Sequence, residues 1–241
     1  MLPKPLPGKA HPTKGFRRMP PILALLCPPE DARHLGAILA TANRDLVVVT
    51  AADAAGLERT VAEAGGVDRI VAFRTNSIVP AELLRRVPGP SYNFHPAPPG
   101  YPGRYPFAFA LYDGAMQYGV TAHEMVEQVD AGPIVGALGF PLPTPPDPDR
   151  LTDRTHTALV QLFVMLAAQL AQTDRPLPRT SLNWDQSRRC TRKALDALRA
   201  LPPDIGSEEM ERRIRALRSV RHEGIRPHLT LHGRRFALEE D

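Results

Sequence analysis

Short apolar runs and amphipathic stretches alternate along most of this chain. Residues 22–27 read Ile-Leu-Ala-Leu-Leu-Cys, an unbroken apolar run of strand length bounded by prolines, which predicts a buried β-strand. Residues 30–42 place Ala, Leu and Ile at helical spacing. Residues 45–50, Asp-Leu-Val-Val-Val-Thr, are rich in β-branched side chains and predict a second strand. A helix over 53–64 follows, with Asp53 as N-cap and Gly65-Gly66 as its stop. The pattern then predicts strand 68–73, short helix 80–86, strand 92–95, a Pro/Gly-rich loop over 96–106, a helix over 105–113, strand 119–125, and strand 134–142 pairing with it. A Pro-rich stretch at 141–149 leads into an apolar helix at 151–172. Past a long connection come helices near 191–200 and 207–219 and a hairpin over 228–237, turning at His232-Gly233.

Near-continuous apolar strands alternating with helices indicate an α/β fold: a Rossmann-like, mostly parallel sheet with helices on both faces. The expected organisation is an N-terminal extension without regular structure at 1–20, a main domain at 21–172, and a C-terminal extension of two helices and a hairpin at 173–241. Met1 and Met19 both stand as candidate starts. Ligands on such sheets sit beyond the carboxyl ends of the strands, so the loops after Phe73, His95 and Met125 are the places to look.

Composition narrows the classes. In 241 residues, 43% are hydrophobic and 6% aromatic, so the core should be built from Ala, Val, Leu and Ile. Residues 1–20 lack the apolar centre of a secretory signal, and no apolar run reaches membrane-spanning length; a soluble, cytoplasmic protein is expected. The two cysteines, Cys27 and Cys190, lie far apart without metal-type spacing, which suits a reducing compartment. The net charge of +4 gathers at 4–18 and 188–235. A basic C-terminal part suits nucleic acid or a phosphorylated substrate, yet Arg212, Arg213, Arg215 and Arg218 interleave with Glu208, Glu209 and Glu211 as on an ordinary salt-bridged helix face.

The candidate chemistry lies at strand ends. Asn93 and His95, two apart on one strand, share a face while Phe94 points to the opposite layer. Alone, a strand-end His is most often a structural hydrogen-bonder. Asp130 stands in Val129-Asp-Ala-Gly132, a turn signature after the next strand, where it also suits an Asx-turn. An amide donor, an imidazole and a carboxylate are the parts needed to polarise a carbonyl and move a proton. Residue types alone would allow His95, His123 and Asp130 to hold a metal, but no close ligand pair on one turn or strand supports that, and no metal is expected. No G-x-G-x-x-G follows the first strand, which argues against a dinucleotide cofactor.

Taken together, Asn93-Phe-His95-Pro, Gly119-Val-Thr-Ala-His123 and Asp130-Ala-Gly-Pro-Ile134, with Ile78-Val-Pro80 upstream, resemble the 10-formyltetrahydrofolate-dependent formyltransferases over residues 22–172. That group includes glycinamide ribonucleotide, methionyl-tRNA and sugar-nucleotide N-formyltransferases and the formyltetrahydrofolate deformylases. The resemblance implies Asn93, His95 and Asp130 as the catalytic trio. Asn93 would donate to the oxyanion, a protonated His95 would act as general acid, and Asp130 would keep His95 charged or take the amine's proton. It implies a folate pocket built by main chain around Phe73, Arg74, Ser77 and Ile78 and around Val126, Glu127, Gln128 and Val129. His123 would shape the Asp130 loop, and Thr121 beside it would be structural.

The loop after His95 departs from the family. Ala97 replaces the usual Ser, and Gly103-Arg104 stands where Arg-Gly is expected, so Tyr101, Arg104 and Tyr105 are candidates for contacting the acceptor or simply for stiffening the loop. Residues 174–241 are too few for the β-barrel of initiator-tRNA formyltransferases and are similar to the shorter tail of sugar-type members. The resemblance therefore favours a small amine acceptor such as an amino-sugar nucleotide. The alternatives are a formyltetrahydrofolate hydrolase and a tRNA-formylating enzyme that binds RNA through its basic tail. A homodimer is left open.

Overall fold

Leu23 and Leu25 point to one side of the first strand and Ala24 and Leu26 to the other, and all four are fully buried. That double burial requires helices on both faces of a sheet. The computed structural model describes residues 19–142 and 147–238. The expected N-terminal extension, apart from its last two residues, and the middle of the Pro-rich stretch lie outside the described residues. In order, the elements are β1 (Ile22–Leu26), α1 (Pro29–Ala42), β2 (Val47–Ala51), α2 (Ala54–Glu63), β3 (Arg69–Phe73), α3 (Ala81–Arg86), β4 (Tyr92–His95), α4 (Pro106–Tyr112), β5 (Gln117–Glu124), β6 (Ile134–Pro141), α5 (Pro148–Leu170), α6 (Arg192–Arg199), β7 (Ala200–Leu201), α7 (Ser207–Arg218), β8 (His228–Leu231) and β9 (Arg234–Ala237).

The central sheet has six strands in the order β2-β1-β3-β4-β5-β6. The first four are parallel. On one face α1 and α5 bury Leu35, Leu39, Leu159, Leu162 and Phe163 against Leu23, Val71, Phe73 and Phe94. On the other, Leu57 of α2 and Leu83 of α3 cover Ala24, Leu26, Ile70 and Ala72. A separate apolar cluster joins α4 to α6 and α7 through Leu111, Tyr118, Cys190, Leu195 and Leu217.

Two features go beyond the expected mostly parallel sheet and C-terminal hairpin. β5 runs antiparallel to β4, and β6 antiparallel to β5. An eight-residue strand buried over most of its length reads the same in either direction, so its pattern carries no polarity. At the C-terminus, Ala200 and Leu201 add a short parallel strand to the expected hairpin, and two residues are too few for a period to register.

Arg69 is fully buried. It donates to the carbonyls of Gln169 and Leu170 at the end of α5, and to those of Thr173 and Arg175 beyond it. The guanidinium thus satisfies carbonyls that a helix terminus leaves open, on the side where the helix dipole favours a cation.

Candidate active site

β4 sets the first two groups. Phe94 packs into the layer beneath α5, its ring centroid 5.0 Å from that of Phe163, which turns Asn93 and His95 to the opposite face. The register places His123 of β5 across from Asn93 and Thr121 across from His95. Thr121 Oγ1 donates to Ala97 O at 2.7 Å and so pins the loop just past His95.

Because β5 is antiparallel, its outgoing loop leaves beside Ser91, at the start of β4, with Met125 N donating to Ser91 O. Residues 126–132 must fold back to bring Asp130 to His95. Gly132 permits this, since a Cβ there would lie 1.9 Å from Glu124 O. Asp130 itself adopts φ +49°, a left-handed conformation that Asp tolerates better than most residues. Arg74 and Tyr105, both beside the same cleft, also have positive φ. Such backbone states cost energy and persist where the surroundings over-determine them.

Here the surroundings do. Gly103 N–H donates to Asp130 Oδ2 at 2.9 Å and Gln186 Nε2 to Asp130 O at 2.7 Å. Trp184 Nε1 donates to Gly132 O at 2.9 Å and Arg189 to Val129 O at 3.0 Å. Trp184 also meets the rings of His95 and His123 edge-on, with centroids 5.7 and 5.1 Å away. The same segment grips the other loop, with Asp185 N bonding Pro99 O and Cys190 N bonding Pro102 O. Residues 184–190 thus form a strap across both loops of the site. Nothing in the periodicity marks this connection; the single Trp of the chain is the one signal that could have drawn attention to it.

His95 Nε2 donates to Tyr101 O at 3.2 Å, and its Nδ1 lies 3.6 Å from Asp130 Oδ2. His123 Nδ1 donates to Glu124 O at 3.0 Å, and its Nε2 lies 3.2 Å from both Asn93 Nδ2 and Asp130 Oδ1. All three ionisable groups are almost fully buried. Burial pushes the Asp130 carboxyl up, but the two imidazoles and the Gly103 N–H outweigh it and bring the group down to about 2. Burial also holds the His95 imidazole below its ordinary range, and the Asp130 charge and the Tyr101 carbonyl offset this only in part. The resemblance implies that Asp130 keeps His95 charged; desolvation outweighs the carboxylate instead and favours the neutral imidazole.

These groups line a cleft of about 390 Å³. Arg74, Ser77 and Ile78 border it on one side and Val126, Glu127, Gln128 and Val129 on the other. Ile78, Val126 and Val129 are exposed hydrophobics at its mouth. Phe73 is not among the lining residues; it is fully buried under α5, against Phe163. The Arg74 guanidinium is tied to Glu30 and Asp31 in the first turn of α1, and His156 pairs with Asp31 at 2.9 Å. A helix N-terminus that would otherwise attract a phosphate is occupied by the protein's own carboxylates.

Arg104 and Tyr105 line the cleft, as do Ser219 and His222 from the C-terminal part. Tyr101 does not: its ring is buried and its hydroxyl bonds Asp113 and Arg188, so it braces the loop from behind. Among the described residues no group of three His, Cys, Asp or Glu is arranged to hold a metal ion.

The architecture has counterparts among solved structures. A sugar N-formyltransferase from a Shewanella species superposes with TM-score 0.71 at 18% identity, covering 92% of this chain and 97% of its own. HypX from Aquifex aeolicus, solved with tetrahydrofolic acid, gives 0.56 at 20% identity over 91% of this chain and 37% of its own. The formyltransferase PseJ from Anoxybacillus kamchatkensis, solved with UDP-4,6-dideoxy-4-formamido-L-AltNAc and tetrahydrofolate, gives 0.56 at 18% identity over 73% of this chain and 88% of its own. At these identities the likeness is one of fold. The formyl transferase family model matches residues 40–166, a span holding Asn93, His95, His123 and Asp130 but not the strap. More than half of the sequence lies within that match, and the chain belongs to the formyl transferase family.

Proposed function

We propose that this chain moves a formyl group from 10-formyltetrahydrofolate to the primary amine of a small acceptor in the cytoplasm, with Asn93, His95 and Asp130 as the reacting site. The favoured acceptor class is an amino sugar carried on a nucleotide. The observation that carries the reading is the convergence of an amide donor, an imidazole and a carboxylate on one cleft. The exposed apolar rim of Ile78, Val126 and Val129 suits a flat pterin ring, and residues 74–78 and 126–129 border the same cleft. Tetrahydrofolate in HypX, and a formamido-sugar nucleotide with tetrahydrofolate in PseJ, support the donor and acceptor classes by analogy of fold. In this reading the reacting groups belong to a domain at 21–172, and the extension at 173–241 braces their loops.

The roles follow from the electrostatics. The acceptor nitrogen attacks the formyl carbon, forming a C–N bond and leaving negative charge on oxygen. Asn93 N–H stabilises that oxygen by roughly 3–4 kcal/mol, as single oxyanion donors do elsewhere. Burial favours the neutral His95, which takes the amine's proton and hands it to N10 as the bond to N10 breaks. Asp130, with its pKa near 2, is too weak a base to keep that proton; it stabilises the imidazolium that forms between the two transfers.

The test is incubation with 10-formyltetrahydrofolate and a panel of amines, following folate release by absorbance. Release that requires an amine supports transfer. Release without one points to hydrolysis, and no release under either condition sinks the proposal. His95→Ala and Asp130→Asn should lose nearly all turnover while melting like the parent; wild-type rates in either variant would remove that residue from the site.

A further inference from the structure

We infer that His123 is the positioning residue for Asn93: its imidazole fixes which end of the Asn93 amide faces the reaction. This rests on the function proposed above. A backbone carbonyl only accepts, so His123 Nδ1, 3.0 Å from Glu124 O, carries the hydrogen. In the neutral ring Nε2 then holds a lone pair. The atom facing it at 3.2 Å is Asn93 Nδ2, which only donates. Donors and acceptors therefore run one way, from Asn93 through His123 to Glu124. One amide hydrogen is spent on the ring and the second is left for the formyl oxygen. A flipped amide would set its oxygen against the Nε2 lone pair.

The surroundings pose an alternative that the geometry disfavours. Asp130 Oδ1 also lies 3.2 Å from His123 Nε2, and a protonated ring could donate there. The ring's approach helps hold the Asp130 carboxyl down, yet Oδ1 is buried and has no hydrogen bond of acceptable distance and angle among the described residues. The carboxylate is instead held through Oδ2 by Gly103 N–H. Both histidines are locked by carbonyls, His95 at Nε2 and His123 at Nδ1, and their remaining nitrogens converge on one carboxylate. The Asn93 hydrogen bond marks His123 as the ring that accepts, leaving the travelling proton to His95. The other charged neighbours, Glu124 and Arg179, pair with each other at 3.2 Å, and Trp184 closes the ring's edge.

A double-mutant cycle read in single turnovers tests this, using an amine the parent enzyme formylates. His123→Ala should lower the rate by about 10²–10³-fold, the cost of one oxyanion donor, with the KM for 10-formyltetrahydrofolate nearly unchanged. The double variant with Asn93→Ala should be no slower than Asn93→Ala alone, because residues acting as a unit are not additive. His123→Gln, whose amide oxygen can accept from Asn93, should recover about tenfold or more of the loss, since a restored acceptor returns part of the donor's orientation. Multiplying losses in the double variant, or a His123→Ala enzyme as fast as the parent, would overturn the inference. A readout independent of turnover is the ring's ¹⁵N spectrum at pH 8, where His123 should carry its hydrogen on Nδ1; the Nε2–H tautomer would overturn it. A parent enzyme that transfers no formyl group would defeat the proposed function and leave the tautomer measurement to decide the hydrogen-bond chain.

Discussion

The indole N–H of Trp184 donates to the carbonyl of Gly132 at 2.9 Å, tying a residue from the C-terminal part to the turn that carries Asp130. Its ring also abuts both site histidines. Trp184→Phe keeps the ring contacts and loses the hydrogen bond, so it should cost about 1 kcal/mol of stability and only a few-fold in rate. Trp184→Ala removes both and should cost roughly 2 kcal/mol, the half-buried ring giving less than a full core truncation, with about 10²-fold in kcat from a displaced loop. Denaturant melts and steady-state kinetics on the two variants separate these effects. Equal rate losses in both would show that the hydrogen bond, not the ring, positions the loop.

Gly132→Ala probes the same turn from the other side. The added methyl would sit 1.9 Å from Glu124 O, a backbone atom that cannot move without opening the β5–β6 connection. The expected outcome is a loss of about 3 kcal/mol, at the upper end of overpacking costs. A kcat at least about 10²-fold lower follows, because Asp130 leaves His95. A variant of parental stability would mean that the turn relaxes freely.

The central sheet was legible from period alone, because Leu23 to Leu26 and Arg69 to Phe73 are buried on both faces. The direction of β5 was not, since alternation has no polarity. Asn93 and His95 announced themselves by sharing a strand face. Asp130 could be placed beside them only through the resemblance, as the loop that carries it folds back in a manner set by Gly132 and the strap. The strap itself escaped notice: its contacts are main-chain carbonyls of distant loops, and such bonds leave no trace in spacing. The resemblance implies a main-chain folate contact at Phe73, whose side chain belongs to the core, and of the two roles open to Tyr101, acceptor contact or stiffening the loop, its place behind the loop fits the second.

Acid should act on stability in two windows. The His95 imidazole has a folded pKa below its ordinary 6.5, so the fold binds that proton less well than the unfolded chain does. Its contribution is present above 6.5 and is lost as pH falls from there toward the folded value. Asp130 is depressed from 3.8 to about 2; its contribution, roughly 2 kcal/mol, is present above 3.8 and lost between 3.8 and about 2. Unfolding free energies measured against pH should fall in both windows, and Asp130→Asn should flatten the lower one. In turnover, the acid limb of kcat/KM should lie below pH 6.5 and move lower still in residual Asp130→Asn activity, because the carboxylate raises the imidazole. A limb that moved upward would contradict the pairing.

Arg69 offers a test of the scaffold away from the site. Its guanidinium bonds carbonyls at and beyond the end of α5 and lies 5.1 Å from the Tyr92 ring. Arg69→Met keeps much of the apolar stem but strands those carbonyls in the interior, and should cost about 3–5 kcal/mol, as breaking a buried charged contact does. Thermal melts with the donor absent measure it. A change below about 1 kcal/mol, the worth of a single ordinary hydrogen bond, would show that the carbonyls find other partners.

Arg104 separates acceptor binding from chemistry. It is exposed on the cleft, lies 5.5 Å from the Tyr105 ring centroid, and has no ion pair with a described residue. Its neighbour Gly103 holds Asp130 through the backbone, so replacing the Arg104 side chain leaves that bond intact. If the acceptor carries a phosphate, Arg104→Ala should raise its KM about tenfold, the worth of roughly 1.4 kcal/mol, with kcat within about twofold, the signature of lost uniform binding. The donor KM should not change. The parental acceptor KM should also rise with salt, and that dependence should weaken in the variant, because screening acts on the exposed charge. A donor KM that rose instead, with the acceptor unaffected, would move Arg104 to the folate side of the cleft.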